Sequence, residues 1–231
     1  MSTIIEFINV NKEYKSGNHI LKAIDDVDFT IDEGNFVVVL ESSGTDKSTL
    51  LNLFGGIDSV TFGQIIVKGE NIESFDDNQF TFYRAKNGGF IFQSYNLIPN
   101  WGALENVELM KDIVDVDIDG LSVLDSVSLK NHADQFLSQL SGSEQQGVSI
   151  ERAVAKRPAR ILCDEPLGAF DSKRGVLILN ILQNMGNNQN TTFIIATHNA
   201  ILAEAADKII RIKNGQIESI QINENSKEYL I

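Results

Sequence analysis

Short apolar runs separated by glycine-containing turns recur along the chain and predict alternating strands and helices. Strand patterns lie at 3–9, 20–31, 36–40, 63–67, 89–93, 160–164 and 192–196. Helical patterns lie at 48–54, 76–86, 103–137, 143–156, 175–186 and 200–206, and the C-terminal region is again rich in strand formers. This alternation predicts an α/β fold with a mainly parallel central sheet, and it predicts a helical lobe at about 94–158.

The apolar run 36–40 leads into the stretch LESSGTDKSTL, which resembles a phosphate-binding loop. The usual pattern of that loop is G-x-x-x-x-G-K-[S/T], and Lys47-Ser48 supplies its end. The Lys47 ammonium can reach the β- and γ-phosphates of a nucleotide, and the Ser48 hydroxyl can ligate Mg²⁺. Both pattern glycines are replaced, the first by Glu41 and the second by Asp46.

Polar groups also follow three other predicted strands. Asp164 and Glu165 close the strand 160–164, His198 follows the strand 192–196, and Gln93 follows the strand 89–92. Ligands of parallel sheets bind at the carboxyl ends of the strands, so these groups are expected to share one site with Lys47 and Ser48. Asp164 is suited to the Mg²⁺ ion through water, and Glu165 to an attacking water. His198 is suited to the γ-phosphate, and Gln93 to metal and water.

Composition narrows the class of protein. The 231 residues carry a net charge of −13, which disfavours a free-standing nucleic-acid binder because such proteins normally present a basic face. The single cysteine, Cys163, rules out an internal disulfide and suits a reducing compartment. No signal peptide and no apolar run of membrane-spanning length is evident. A cytoplasmic location is therefore expected.

Four stretches, in this order, are specific to one family. They are GFIFQSYNLIPNWGALENVEL (89–109), QLSGSEQQGVSIERAVAKRP (139–158), LCDEPLGAFDS (162–172) and IIATHN (194–199). The chain resembles the ATP-binding subunits of ABC transporters, most closely the branch that serves lipoprotein-release, macrolide-export and related peptide-export permeases. The resemblance implies a P-loop NTPase core with an antiparallel β subdomain. It also implies a single domain over 1–231, with the core at about 1–93 and 159–231 and the lobe at about 94–158.

The resemblance adds roles for individual residues. Tyr14 would stack on adenine, and Asp171 would link the two nucleotide sites of a dimer. Ser141 and Gly142 would cap the γ-phosphate of the ATP held by the opposite subunit. The remaining nucleotide-binding positions are Ser43, Gly44 and Thr49.

The family's cofactors and partners are expected as well. They are ATP and Mg²⁺, a second cassette in a head-to-tail homodimer or heterodimer, and a membrane permease subunit with an FtsX-like or similar fold. The expected location is the inner face of the cell membrane, through that permease, and no nucleic acid is expected to bind.

Several departures from the family pattern affect close approach to phosphate. An aspartate at position 46 would be strained if φ there is positive, and one like-charge contact at about 4 Å costs roughly 4 kcal/mol at an effective dielectric of about 20. Ser143 replaces the second glycine of the signature, Gly147 replaces an arginine and Glu151 an alanine. We therefore expect weak ATP binding, and whether the chain hydrolyses ATP is left open.

Three hypotheses remain. The chain is a working ATPase that drives export or release, a degenerate subunit with a regulatory or structural role, or a disabled variant of a normal subunit.

Overall fold

The computed structural model describes residues 2–17, 19–41, 45–168, 170, 175–176, 178–183 and 190–223. The strands, in chain order, are β1 (Thr3–Ser16), β2 (His19–Asp32), β3 (Phe36–Glu41), β4 (Phe62–Val67), β5 (Glu70–Asn71), β6 (Gly88–Ile91), β7 (Arg160–Asp164), β8 (Thr192–Thr197), β9 (Lys208–Lys213) and β10 (Gln216–Ile222). The helices are α1 (Thr45–Phe54), α2 (Asp77–Asn87), α3 (Ala103–Val114), α4 (Gly120–Ser126), α5 (Gly142–Val154) and α6 (Ala200–Ala205). Short 3₁₀ turns lie at Ile72–Ser74, Lys130–His132 and Leu137–Gln139, and residues 175–176 and 178–183 are also helical.

The central sheet is mainly parallel, as expected. Its strand order is β10-β9-β3-β8-β7-β6, and only the edge strand β10 pairs in the antiparallel sense. Alternate residues of β3 face opposite sides, because successive side chains of a strand point in opposite directions. Val37 and Val39 join one apolar core, while Phe36 and Val38 join another. Both faces are therefore buried, which explains the unbroken apolar run in this strand.

A separate antiparallel sheet, in the order β2-β1-β4-β5, covers one of those faces. Its Phe7 and Phe29 rings stack with centroids 4.6 Å apart and share a core with Phe54 of α1. The first strand is longer than the 3–9 segment predicted from the sequence. Its pairing with β2 continues to Ser16 opposite His19, and register shifts between residues 7 and 13 interrupt the alternation. Tyr14 thus lies within β1 rather than after it.

The helix-rich stretch differs in detail from its prediction. Helix α3 ends at Val114, because Asp115 adopts a left-handed conformation with φ of 52°. Helix α4 is short, and much of 127–141 is turns and 3₁₀ helix. Apolar residues from α3, α4, α5 and the turns between them form a third core, which includes Val107, Leu124 and Val148. The division into core and lobe at about residues 93 and 159 stays a prediction.

Candidate nucleotide-binding site

Three adjacent strands of the central sheet bring the polar groups together. Helix α1, the next described element after β3, carries Lys47 and Ser48 in its first turn. Asp164 is the last residue of β7, and Thr197 is the last residue of β8, the strand between β3 and β7. The carboxyl ends of parallel strands lie at one edge of the sheet. The amides of the first helical turn there favour an anion, through both hydrogen bonding and the helix dipole.

Ser48 and Asp164 form a direct contact at this edge. The Ser48 hydroxyl donates a hydrogen bond of 3.1 Å to Oδ2 of Asp164. Burial raises the pKa of Asp164 above its usual value; the Ser48 bond opposes this shift, the neighbouring Glu165 charge adds to it, and the Lys47 charge opposes it. A bound cation would favour the ionised form of this half-buried carboxyl. A hydroxyl and a carboxylate are hard oxygen ligands of the kind that Mg²⁺ takes beside phosphate oxygens.

Glu165 has several polar contacts. Thr197 donates a 2.8 Å hydrogen bond to its Oε2, and the backbone amide of His198 donates a 3.0 Å bond to its Oε1. The imidazole Nδ1 of His198 lies 2.7 Å from the same Oε1. The backbone of Glu165 is left-handed, with φ of 48°, and its amide bonds to the carbonyl of Ala196. Two polar positions that follow neighbouring strands, Glu165 and His198, are thus in contact, as the sequence predicts.

Lys47 completes this group from the side of β3. Its Nζ lies 3.6 Å from Oε1 of Glu165, and both side chains are largely buried. A buried ammonium beside a carboxylate is stabilised by the opposite charge, and the same ammonium can be shared with an incoming phosphate. The structure therefore brings Lys47, Ser48, Asp164, Glu165 and His198 into one group.

Tyr14 and Thr49 are connected to each other. The Thr49 side chain hydrogen-bonds to the Tyr14 phenol, and the phenol donates a 2.8 Å bond to Oδ2 of Asp58. Asp58 forms a salt bridge with Lys12, whose ammonium also lies 5.0 Å from the centroid of the Tyr14 ring. The sequence did not indicate Asp58 or Lys12, since Asp58 is 44 residues from Tyr14.

Gln93 lies outside the group of hydrogen-bonded side chains. β6 ends at Ile91, so Gln93 falls in an exposed turn two residues beyond the strand. Within the described residues, its side chain forms no hydrogen bond. A small cavity of about 20 Å³ is lined by Ile91 and Phe92 at this end of β6 and by Ser48 and Asp164 of the site. The assignment of Gln93 to metal and water stays a prediction.

Ser141 and Gly142 lie at the start of helix α5 and are exposed. Ser141 is the N-cap; its hydroxyl accepts from the Glu144 amide, and its own amide donates to Oε2 of Glu144 at 2.8 Å. This capping box satisfies backbone amides at the start of α5 and keeps its first turn ordered. The hydrogen bonds recorded for Ser141 stay within this turn, which suits a surface that meets a partner.

Several positions named from the sequence fall outside what the structure describes. Ser43, Gly44 and Asp171 lie outside the described residues, as do the side chains of Glu41 and Asp46. The backbone of Asp46 lies in α1, which is right-handed. The condition for strain at this position, a positive φ, is therefore not met. The expected repulsion between its carboxylate and phosphate stays a prediction.

Two of the three replaced positions in α5, Gly147 and Glu151, are buried. Gly147 lies against Leu129, whose Cδ1 would be 3.0 Å from a Cβ at position 147. Glu151 is 2% exposed and accepts a 2.9 Å hydrogen bond from the Ser126 hydroxyl. Burial raises the pKa of Glu151 from 4.5 to about 7, and the Ser126 bond only partly opposes this. The helix that follows Ser141 thus contains an acid with no charged partner among the described residues.

The site fits a nucleotide with Mg²⁺ better than a metal bound by protein alone. Among the described residues, no group of three or more His, Cys, Asp or Glu side chains is placed to hold a metal ion. A P-loop site needs only a hydroxyl and a carboxylate, because phosphate and water oxygens complete the coordination. The fold, with Lys47 and Ser48 in the first turn of α1, defines the class: a P-loop nucleotide-binding protein.

Comparisons with known proteins identify the family. A family model described as ABC transporter matches residues 24–168. An uncharacterised ABC transporter ATP-binding protein of Methanocaldococcus jannaschii, MJ0796, is 36% identical over 224 residues, which cover 93% of this chain and 95% of that protein. The lipoprotein-releasing system ATP-binding protein LolD of Rickettsia typhi is 36% identical over 219 residues, which cover 93% and 97%.

A solved structure agrees with this. The dimeric structure of a post-hydrolysis state of the ATP-binding cassette MJ0796, bound to ADP and Pi, matches with a TM-score of 0.90 and 35% identity, over 95% of this chain and 98% of that one. The chain belongs to the ABC transporter family, as an ATP-binding subunit. The family and the fold class inferred from the sequence are thereby confirmed. No helix in the described part is long and apolar enough to cross a membrane.

Proposed function

We propose that this subunit binds Mg-ATP at the group formed by Lys47, Ser48, Asp164, Glu165 and His198, and hydrolyses it there. The observation that carries the proposal is the contact between the phosphate-loop lysine and the carboxylate, with Nζ of Lys47 3.6 Å from Oε1 of Glu165. This contact places a cation for phosphate next to an acid that can polarise water. Both groups lie in the same partly buried site, where electrostatic interactions are stronger than in water.

Each residue has a defined part in the proposed reaction. Lys47 binds the phosphates, and Ser48 and Asp164 hold Mg²⁺, which neutralises phosphate charge when it is bound. Glu165 orients the attacking water and withdraws its proton. Thr197 and the His198 amide hold the Glu165 carboxylate through bonds of 2.8 Å and 3.0 Å, so that its orientation is fixed before ATP arrives. His198 contacts the γ-phosphate.

The proposed assembly is the one that the family uses. We propose a head-to-tail dimer in which Ser141 and Gly142 of one subunit cap the ATP of the other, and the exposed start of α5 supports this. A membrane permease with an FtsX-like or similar fold would anchor the subunit at the inner face of the cell membrane. Similarity to LolD of Rickettsia typhi, a lipoprotein-releasing system protein, favours release or export as the driven process. Neither the degenerate subunit nor the disabled variant is favoured by these relatives.

The test is calorimetry with Mg-ATP on the full chain and on Asp46→Gly, followed by phosphate release from both. We expect weak binding by the full chain and tighter binding by Asp46→Gly. One like-charge contact of roughly 4 kcal/mol would correspond to about a thousandfold in affinity. A Kd in the low micromolar range for the full chain would contradict the expected weakness and support a fully working ATPase. Absence of binding by both proteins would contradict the proposed function itself.

A further inference from the structure

A compact polar cluster lies beside Tyr14, away from the carboxylates of the hydrolytic site. Asp58 accepts three hydrogen bonds: from the Tyr14 phenol at 2.8 Å, from the Lys12 ammonium, and from the amide of Ser59 at 2.8 Å. Lys12 is largely buried and also bonds to the Ser59 carbonyl at 2.7 Å. The cluster therefore ties β1 to the segment that leads from α1 to β4.

The cluster fixes both the position and the tilt of the Tyr14 ring. The hydroxyl is held by Asp58 at one end, and the Lys12 ammonium lies 5.0 Å from the ring centroid. A cation at this distance attracts the ring through its quadrupole. Tyr14 is still 36% exposed, so part of the ring remains available to a ligand. An exposed tyrosine without such contacts would sample several rotamers and lose that freedom on binding.

The charge of Asp58 is maintained at neutral pH. Burial would raise the pKa of its carboxyl, but the bonds from Lys12, Tyr14 and Ser59 outweigh it, and the pKa lies below its usual value. A charged acceptor makes shorter and stronger hydrogen bonds than a neutral one. The attachment of the phenol is thus stronger than an ordinary surface hydrogen bond.

The same ring is connected to the phosphate loop. Thr49, two residues after Lys47, hydrogen-bonds to the Tyr14 phenol and is itself buried. A flat aromatic surface at a fixed separation from a phosphate-binding lysine matches the two ends of a nucleotide, its base and its phosphates. Base–aromatic stacking tolerates any base, because each has a π-face.

We propose that Asp58, supported by Lys12, is a positioning residue that holds Tyr14 as the stacking surface for the nucleotide base. This inference rests on the proposed function, since it assumes that the phosphates bind at Lys47. Asp58 itself does not touch the nucleotide; it acts through the orientation of Tyr14.

The test compares two ligands, Mg-ATP and Mg-tripolyphosphate, which lacks the base. Their affinities are measured by calorimetry for the full chain, Tyr14→Leu, Tyr14→Phe and Asp58→Ala. Removing a carboxylate changes the binding of any anion. The readout is therefore the affinity for Mg-ATP divided by the affinity for Mg-tripolyphosphate. Asp25→Ala is the matched control, because Asp25 also pairs with a lysine, Lys22, and the hydrogen bonds that its carboxylate accepts come from Lys22 and Gln216. Thermal unfolding checks that each variant is folded.

We expect the ratio to fall about tenfold in Tyr14→Leu, which loses the stacking surface. Asp58→Ala and Tyr14→Phe should each lower the ratio by about threefold to tenfold, and the combined variant should lower it by less than the product of the two effects, because both remove the Tyr14–Asp58 hydrogen bond. Asp25→Ala should leave the ratio unchanged. The proposal would be overturned if the ratio falls in Tyr14→Leu but is unchanged in folded Asp58→Ala.

Failure of the proposed function would look different. If the full chain binds neither ligand, the ratio is measured in Asp46→Gly with the same substitutions. If the ratio in Asp46→Gly depends on Tyr14 but not on Asp58, the positioning role of Asp58 is overturned. If it depends on both residues, that role is supported. Binding of tripolyphosphate but not ATP by Asp46→Gly would also overturn it.

Discussion

The imidazole Nδ1 of His198 lies 2.7 Å from Oε1 of Glu165, although the two residues are 33 positions apart. Glu165 is largely buried, whereas the His198 side chain is 79% exposed. The contact joins an exposed group, which an incoming phosphate can reach, to a shielded carboxylate that acts on water in the proposed reaction. If phosphate displaces His198, the Glu165 carboxylate therefore loses one of its contacts.

Lys47 shares that Oε1 atom, at 3.6 Å. Arrival of phosphate gives both the lysine and the histidine a second anionic partner, and their hold on Glu165 weakens. Thr197 bonds to the other carboxylate oxygen, Oε2, and is independent of phosphate. Thr197 is thus the side-chain contact that, together with the backbone amide of His198, keeps Glu165 oriented while the nucleotide is bound.

The first prediction concerns Thr197, which is 1% exposed and also accepts a 3.1 Å bond from the Asn199 amide. Thr197→Val keeps the shape of the side chain and removes the hydroxyl. We expect kcat for ATP hydrolysis to fall about 10-fold to 100-fold, because a misplaced base costs rate rather than binding. KM and the Kd for Mg-ATP should stay unchanged, and steady-state phosphate release with calorimetry measures all three.

Thr197→Ser is the matched control, since it retains the donor and should restore most of the rate. The assay is run on the full chain and on Asp46→Gly. A loss of ATP affinity equal to the loss of kcat would contradict a role through Glu165 alone.

The second prediction concerns the pH dependence of stability through Glu151. Its folded pKa of about 7 lies above the ordinary 4.5, so the folded state holds its proton more tightly than the unfolded state. The free energy of unfolding should therefore fall as the pH rises from about 4.5 to about 7 and then level off. The shift corresponds to a loss of about 3 kcal/mol.

Glu151→Gln keeps the shape and the bond to Ser126 without the charge. This variant should be more stable than the parent at pH 8 and should lose most of the pH dependence between 4.5 and 7, as measured by urea unfolding. Glu108→Gln is a control, because that glutamate is at the surface and pairs with Lys111. Equal stability of the Glu151→Gln variant and the parent at pH 8 would be inconsistent with a buried carboxylate at this position.

The third prediction concerns Arg160, which is 1% exposed at the start of β7. Its guanidinium lies 4.3 Å from the centroid of the Tyr83 ring, but within the described chain Nε and Nη1 have no hydrogen-bond partner. Buried polar atoms without partners cost about 1–3 kcal/mol. Arg160→Met should therefore raise the free energy of unfolding by about 1 kcal/mol, after loss of the contact with Tyr83 is subtracted.

Urea unfolding at pH 7 measures this change. Arg84→Met is the control, because Arg84 donates a 2.7 Å bond to the carbonyl of Gly56 and its removal should destabilise. If Arg160→Met lowers the free energy of unfolding by more than Arg84→Met does, then Nε and Nη1 of Arg160 have hydrogen-bond partners in the native protein.

Much of the site could be predicted because its parts follow apolar strands. The run 36–40 is apolar on both faces, which indicates a central parallel strand, and the loop after it then has to lie at the carboxyl edge. The same reasoning brings Asp164, Glu165 and His198 to that edge, and the structure places all three there. Strand position alone was sufficient for these residues.

The other features of the fold and the site depend on contacts between distant residues, which no local sequence pattern predicts. Asp58 reaches Tyr14 because α1 and the turn after it fold back over β1, so the pair exists only in the assembled antiparallel sheet. The length of β1 was underestimated because its register shifts break the alternation on which strand prediction relies. The burial of Glu151 is set by α4, which packs against α5.

The last prediction uses Cys163, the single cysteine of the chain. It is fully buried in β7, paired with Ile91 of β6 on one side and Ile195 of β8 on the other. Burial also raises the pKa of its thiol, so the reactive thiolate is disfavoured as well as inaccessible. Native protein should therefore react with a disulfide reagent at least about 100-fold slower than protein in guanidinium chloride, because labelling requires opening of the central sheet.

The measurement is the absorbance of released thiol at pH 8, which should reach one thiol per chain only after unfolding. In the control, Cys163→Ala carries a new cysteine at exposed Ser122, and this protein should label at once in the native state. If Cys163 labels as fast as the Ser122→Cys control without denaturant, then β7 is accessible in the native protein. The packing of β7 between β6 and β8, on which the placement of Asp164 depends, would then be incorrect.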